Sequence, residues 1–174
     1  MSVAIEPGKQ PVYVGKTLTT STVYIRPADS TQYTAGDVVA DSTSDPHALE
    51  FIGAVRVPGG GGIIQSAILI DSTAEATKPD LELYLFNHRP AMQADNAAWA
   101  PTDREMEDCL GVISFPLSYF KTAGANGIIQ PTNPSLGFAC DANATSLYGV
   151  LVARNAYTPV SGEKFVIRLF VLQD

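Results

Sequence analysis

Cysteine is scarce in this sequence, with two among 174 residues, Cys109 and Cys140. Two thiols make no disulfide framework, and the apolar residues beside them predict free, buried side chains. Charge is also low, at 17% of residues, and its balance is acidic: 18 Asp and Glu against 11 Lys and Arg, for a net charge of -7. A surface of that sign repels phosphate backbones and no basic cluster offsets it, so no nucleic-acid partner is expected. No apolar run approaches the roughly 18 residues that cross a bilayer. The longest, Ile63 to Ile70, is broken by Gln65 and Ser66, and no membrane partner is expected. Met1 to Lys9 lacks the basic start and apolar stretch of a secretory signal, so export by that route is not expected.

The residues that usually carry chemistry are equally sparse. His47 and His88, the two histidines, sit in Pro-flanked polar segments and read as surface turn residues. No Cys-x-x-Cys or His-x-x-x-His spacing suggests zinc, and no Gly-x-Ser-x-Gly elbow presents a nucleophile. The glycines at 59–62 lack the Gly-Lys-Ser/Thr ending of a phosphate loop, and a strand follows them where that motif needs a helix. Asp103, Glu105, Glu107 and Asp108 fall on one short helix, where carboxylates complement the dipole; a glycosidase pair faces across a cleft. Asp71, Asp80 and Asp95 read as scattered turn residues without EF-hand spacing. Asn143-Ala-Thr145 matches a glycosylation sequon, which has meaning only on a eukaryotic secretory route. No catalytic residue, metal or cofactor is expected, and no turnover.

What the sequence does hold is a succession of short β-branched and apolar segments separated by Gly, Pro, Asn and Asp. That rhythm predicts an all-β protein, a two-sheet antiparallel sandwich of jelly-roll type. Leu18–Ile25, 37–40, Leu49–Val55, Ile63–Ile70, Leu81–Phe86, Val112–Phe115, Leu147–Arg154 and Lys164–Leu172 are the expected strands. The last two are expected to pair with each other, and the final one, apolar on both faces, is expected to lie centrally. One helix of about two turns is expected over Pro101–Leu110, capped by Thr102 with Glu105 three residues on and ended by Gly111. Residues 121–134 read as an irregular surface excursion. Residues 18–174 form the sandwich and residues 1–17 an extended N-terminal arm.

Candidate contact residues follow from this layout. The arm carries Val3, Ile5, Pro11, Val12 and Tyr13, an apolar pattern suited to adding a strand to another protein's sheet edge. Tyr84, Phe86, Tyr148, Phe165 and Phe170 lie inside strands and read as core. Trp99, Tyr119 and Tyr157 lie in connections, which makes them candidates for exposed contacts. Trp99 is equally suited to capping one end of the sandwich.

Four stretches carry a resemblance. They are Tyr33-Thr-Ala-Gly-Asp-Val-Val39; Ile68-Leu-Ile-Asp-Ser72 followed by 76–86; Ala94-Asp-Asn-Ala-Ala-Trp-Ala-Pro-Thr-Asp103; and Leu147 to Pro159. With these the chain resembles head decoration, or cement, proteins of tailed bacteriophages. The resemblance covers most of the chain from Tyr33 onward and leaves the arm out. It implies a β-sandwich made in the bacterial host cytoplasm that assembles as a homotrimer on the outer surface of the capsid. There it would bridge neighbouring subunits of the major capsid protein against internal pressure. A tail, baseplate or fibre-associated module binding a partner protein or a host glycan is the alternative.

Overall fold

The structure, a computed structural model, describes residues 15–73, 77–131 and 133–173. Along the chain come β1 (Lys16–Ile25), β2 (Val38–Val39), β3 (Leu49–Phe51), β4 (Gly61–Asp71), β5 (Leu81–Phe86), helix α1 (Asp103–Glu107) and β6 (Cys109–Phe115). A 3-10 turn at Leu117–Tyr119 leads into β7 (Lys121–Ala123), β8 (Asn126–Ile129), β9 (Leu136–Ala139), β10 (Leu147–Ala153) and β11 (Lys164–Gln173).

The strands make two antiparallel sheets. One has the order β1-β11-β4-β8-β7 with β9 also on β4, and the other β2-β10-β5-β6 with β3 also on β10. The pairings are nested. β1 pairs with β11, β2 and β3 pair with β10, β4 pairs with β8 and β9, and β5 pairs with β6 at the centre. A long hairpin rolled on itself so that alternate pairs fall into opposite sheets is a jelly roll. The rolled arrangement corrects one expectation. The two closing strands, adjacent in sequence, lie in different sheets, with β10 against β5 and β11 between β1 and β4. The central place of β11 is as expected.

Period-two alternation sets the core. Leu81, Leu83 and Leu85 of β5 and Phe165, Ile167, Leu169 and Val171 of β11 point inward and are fully buried. Leu69 and Ile64 of β4 and Leu147 and Leu151 of β10 complete the interior from both sheets. Within the 59–62 glycine run, Gly62 has a positional reason: a Cβ there would stand 2.8 Å from the Leu172 carbonyl oxygen and 3.2 Å from the Phe138 ring. The run lets β4 fit closely between β9 and β11.

Other boundaries differ from expectation. Lys16 and Thr17 pair with Gln173 and Leu172 and belong to β1, not to an arm. Helix α1 is a single short turn of five residues, with the Thr102–Glu105 capping box formed as the sequence predicts. Gly111 does not end it: the C-cap is Asp108, and Gly111 (φ +148°) lies inside β6 beside a register shift. The 121–134 stretch contains the β7–β8 hairpin, turned at Gly124 with φ +64°.

Candidate functional site

The contact residues expected from sequence fare differently. Val3, Ile5, Pro11, Val12 and Tyr13 lie outside the described residues. Trp99 is half-buried and turns inward, its ring 6.1 Å from Tyr84 and 6.4 Å from Phe86. Its segment runs beside β2: Val38 N–H donates to the Ala97 carbonyl (2.8 Å), Asn96 N–H to the Val38 carbonyl (2.9 Å) and Trp99 N–H to the Gly36 carbonyl (2.8 Å). The β5–β6 connection therefore folds against the outside of the five-stranded sheet, with Trp99 as its apolar anchor. Tyr119 is half exposed and borders a small depression with Val112, Pro116, Pro131 and Pro134. Tyr157 is the reverse of its expectation, 1% exposed and stacked on Tyr33 with ring centroids 4.9 Å apart.

The outer face of the six-stranded sheet is where a surface emerges. Register places Val23 opposite Val166, Val166 opposite Ile70 and Ile70 opposite Ile128. Four aliphatic side chains thus form one row across β1, β11, β4 and β8. At its ends Val23 is 55% and Ile128 39% exposed, and Ile25 (54%) and Ile63 (44%) lie on the same face. Phe170 also points this way and is only half-buried, which corrects its assignment to the core. The outward positions of these strands hold Lys121, Lys164 and Arg168, all exposed, and no carboxylate; the sheet's one acid, Asp71, faces inward and is buried. In a chain of net charge -7 this is a locally cationic, aliphatic face. Sequence reasoning missed it because apolar residues on both sides of a strand read as burial on both sides.

The opposite polarity collects near α1. An open groove of about 790 Å³ is lined by Asp103, Glu105, Glu107 and Asp108 together with His88, Arg89 and Arg104. Glu105 is occupied by the cap: it accepts from Thr102 N–H (2.8 Å), Thr102 Oγ1 (2.8 Å) and Ala91 N–H (2.9 Å), which hold its carboxyl below the usual range. Arg89 is turned to Glu50 (2.7 Å) and lies over the Tyr148 ring. His88 stands 3.2 Å from Asp141 and 3.7 Å from Asp108. His47 is 3.0 Å from Asp41, so both histidines are exposed turn residues with carboxylate neighbours. Among the described residues no group of three His, Cys, Asp or Glu side chains is arranged to hold a metal ion. Cys109 and Cys140 are free thiols, and burial pushes Cys140 up to about 11.

A buried polar node joins the loops at one end of the sandwich. Asp95 Oδ1 accepts from Tyr33 Oη–H (2.5 Å) and Ala40 N–H (2.8 Å), while Asp95 Oδ2 accepts from Arg26 Nη2 (2.8 Å). Arg26 Nε also donates to Tyr33 Oη, and its guanidinium lies 4.7 Å from the Tyr33 ring centroid. Burial, and the hydrogen bond to Asp95, raise the Tyr33 phenol far above its ordinary value. Asp95 and Asp71 are therefore not turn residues in solvent; Asp71 is fully buried and pairs with Lys78 at 2.8 Å. The Arg26–Tyr33–Asp95 node has no exposed face, so its role is to fix loops.

No family model and no curated protein matches this chain. Among solved structures it is similar to the capsid of Ralstonia phage GP4, at 15% identity and a TM-score of 0.42, over 98% of this chain and 92% of that one. It is similar also to the cyanophage Pam1 capsid asymmetric unit, at 11% identity and TM-score 0.37, over 98% and 93%. The capsid of Helicobacter pylori bacteriophage KHP30 follows at 9% and 0.29, over 91% and 93%. The jelly-roll assignment rests on this chain's own nested strand pairing.

Proposed function

We propose that this chain is a structural component of a bacteriophage virion, a decoration protein that binds the outer surface of the capsid and bridges neighbouring major capsid subunits. The observation that carries this reading is the aliphatic row that runs across four strands of the six-stranded sheet, half-buried at its centre and exposed at both ends. Contiguous exposed apolar surface on a well-formed sheet suits permanent association with protein. The family resemblance of the segments that build β4, β5 and β10 points the same way.

On this reading the protein works mechanically and without turnover. It assembles as a homotrimer, and several contacts repeated by symmetry bind the shell far more tightly than one contact can. The arm residues Val3, Ile5, Pro11, Val12 and Tyr13 supply shell contacts by strand addition, and Tyr119 adds an exposed aromatic. Trp99 is withdrawn from this role by its packing on Tyr84 and Phe86. That also weakens the glycan-binding alternative, since Trp99 is the single tryptophan and its ring is not presented as a platform.

The test is cosedimentation of the full chain with shells assembled without it. Saturation at a fixed ratio to the capsid subunit supports the reading. A protein that stays in the supernatant at every concentration overturns it.

A further inference from the structure

We infer that a second copy of this chain covers the outer face of the six-stranded sheet, seating its carboxylate-lined α1 end on the cationic, aliphatic face of the first. This rests on the self-association contained in the functional reading and names the two surfaces that produce it.

Composition, charge and size select that occupant. The face is aliphatic at its centre, through Val23, Val166, Ile70 and Ile128, and cationic at Lys121, Lys164 and Arg168. It needs a partner with apolar groups beside carboxylates. The α1 end of the same chain is such a surface: Asp103, Glu107 and Asp108 border the groove and outnumber Arg104, since the groove's other arginine, Arg89, is turned to Glu50; Asp141 stands beside His88, and Met106 is exposed among them. Unlike charges placed against each other raise association rate and fix register.

Face-to-face packing of two identical sheets is disfavoured by the same charges, since it sets Lys121, Lys164 and Arg168 of one copy against those of the other. The contact is therefore between unlike surfaces, and such contacts close into rings when the rotation permits. Size agrees. Three strands of ten or eleven residues and the four-residue β8, about 4.8 Å apart and at about 3.3 Å per residue, give a face of roughly 500 Å². Flanking loops bring that toward the roughly 800 Å² per partner of a stable interface.

The experiment is the solution mass of the full chain by light scattering and sedimentation equilibrium. Wild type is expected as one discrete oligomer whose dissociation increases with salt. Ile128→Glu and, separately, Arg168→Glu are each expected to weaken association at least about tenfold, by roughly 1.4 kcal/mol. Both positions are exposed, and unchanged circular dichroism and melting temperature identify folded variants. Combining Arg168→Glu with Glu107→Lys is expected to restore the oligomer. A monomeric wild type, or wild-type mass in both single variants, overturns the inference. Failure of the double variant to recover overturns the α1 end as the partner surface. Shell binding, measured on the same samples, separates the two readings: an oligomer that responds to these substitutions but ignores shells supports this inference and contradicts the capsid role.

Discussion

Asp95→Ala is the most informative single change to the fold. The Asp95 side chain is 1% exposed and the Arg26 side chain 0%. Removing the carboxylate leaves the Tyr33 hydroxyl and the Ala40 N–H without their acceptor, and the buried guanidinium with only the partly exposed Asp29, at 3.4 Å, as an acidic partner. Breaking one side of a buried ion pair costs about 3–5 kcal/mol, most of it the uncompensated charge. Against a total stability of roughly 5–15 kcal/mol that is a large fraction. At about 2–4 °C per kcal/mol for a chain of this size, the melting temperature falls by roughly 6–20 °C. Urea unfolding followed by circular dichroism gives the free energy directly. The triple replacement Arg26→Met, Tyr33→Phe and Asp95→Leu removes the buried ion pair and its hydroxyl together, leaving only the partly exposed Asp29, so its cost is smaller than that of Asp95→Ala alone. A loss under about 1 kcal/mol for Asp95→Ala, a value typical of surface sites, would refute the reasoning.

Four further outcomes follow. Tyr24, Tyr33 and Tyr157 all have phenols raised above their ordinary value of about 10, chiefly by burial. Their folded-state protonation therefore contributes stability that is present below pH 10 and lost above it, by about 1.4 kcal/mol per pH unit for each group; cooperative alkaline unfolding with simultaneous appearance of phenolate absorbance is expected, and early titration of these phenols in a folded protein contradicts it. Cys140, 6% exposed and pushed up to about 11, resists alkylation at neutral pH until the chain unfolds, and mass spectrometry of labelled native protein reads this directly. Trp99→Ala destabilises by roughly 2–4 kcal/mol through lost packing on Tyr84 and Phe86 yet leaves shell binding unchanged, separating a structural anchor from a contact residue. Gly62→Ala costs about 1–3 kcal/mol in urea unfolding, because its Cβ meets backbone that cannot swing aside.

The elements with strong local signals were legible. The Leu81, Leu83, Leu85 alternation marked β5, Ile63–Ile70 and Lys164–Leu172 marked β4 and β11, and Thr102 with Glu105 marked the helix start. Pairing was not legible where the roll sends consecutive strands to opposite sheets, as it does β10 and β11. Burial of polar residues was hidden for the same reason. Asp95, Arg26 and Tyr157 have ordinary turn neighbours in sequence and become interior only when distant loops converge on them. The cationic face was invisible in a net charge of -7, since Lys121, Lys164 and Arg168 come from two strands far apart in the chain and meet through β4 and β8.

The central claim is a place on the outside of a capsid, and electron cryomicroscopy of shells with and without the protein tests it most directly. The account predicts added jelly-roll density on the outer surface, repeated by the shell's symmetry and spanning neighbouring capsid subunits. Density confined to the tail, or shells indistinguishable with and without the protein, would contradict it.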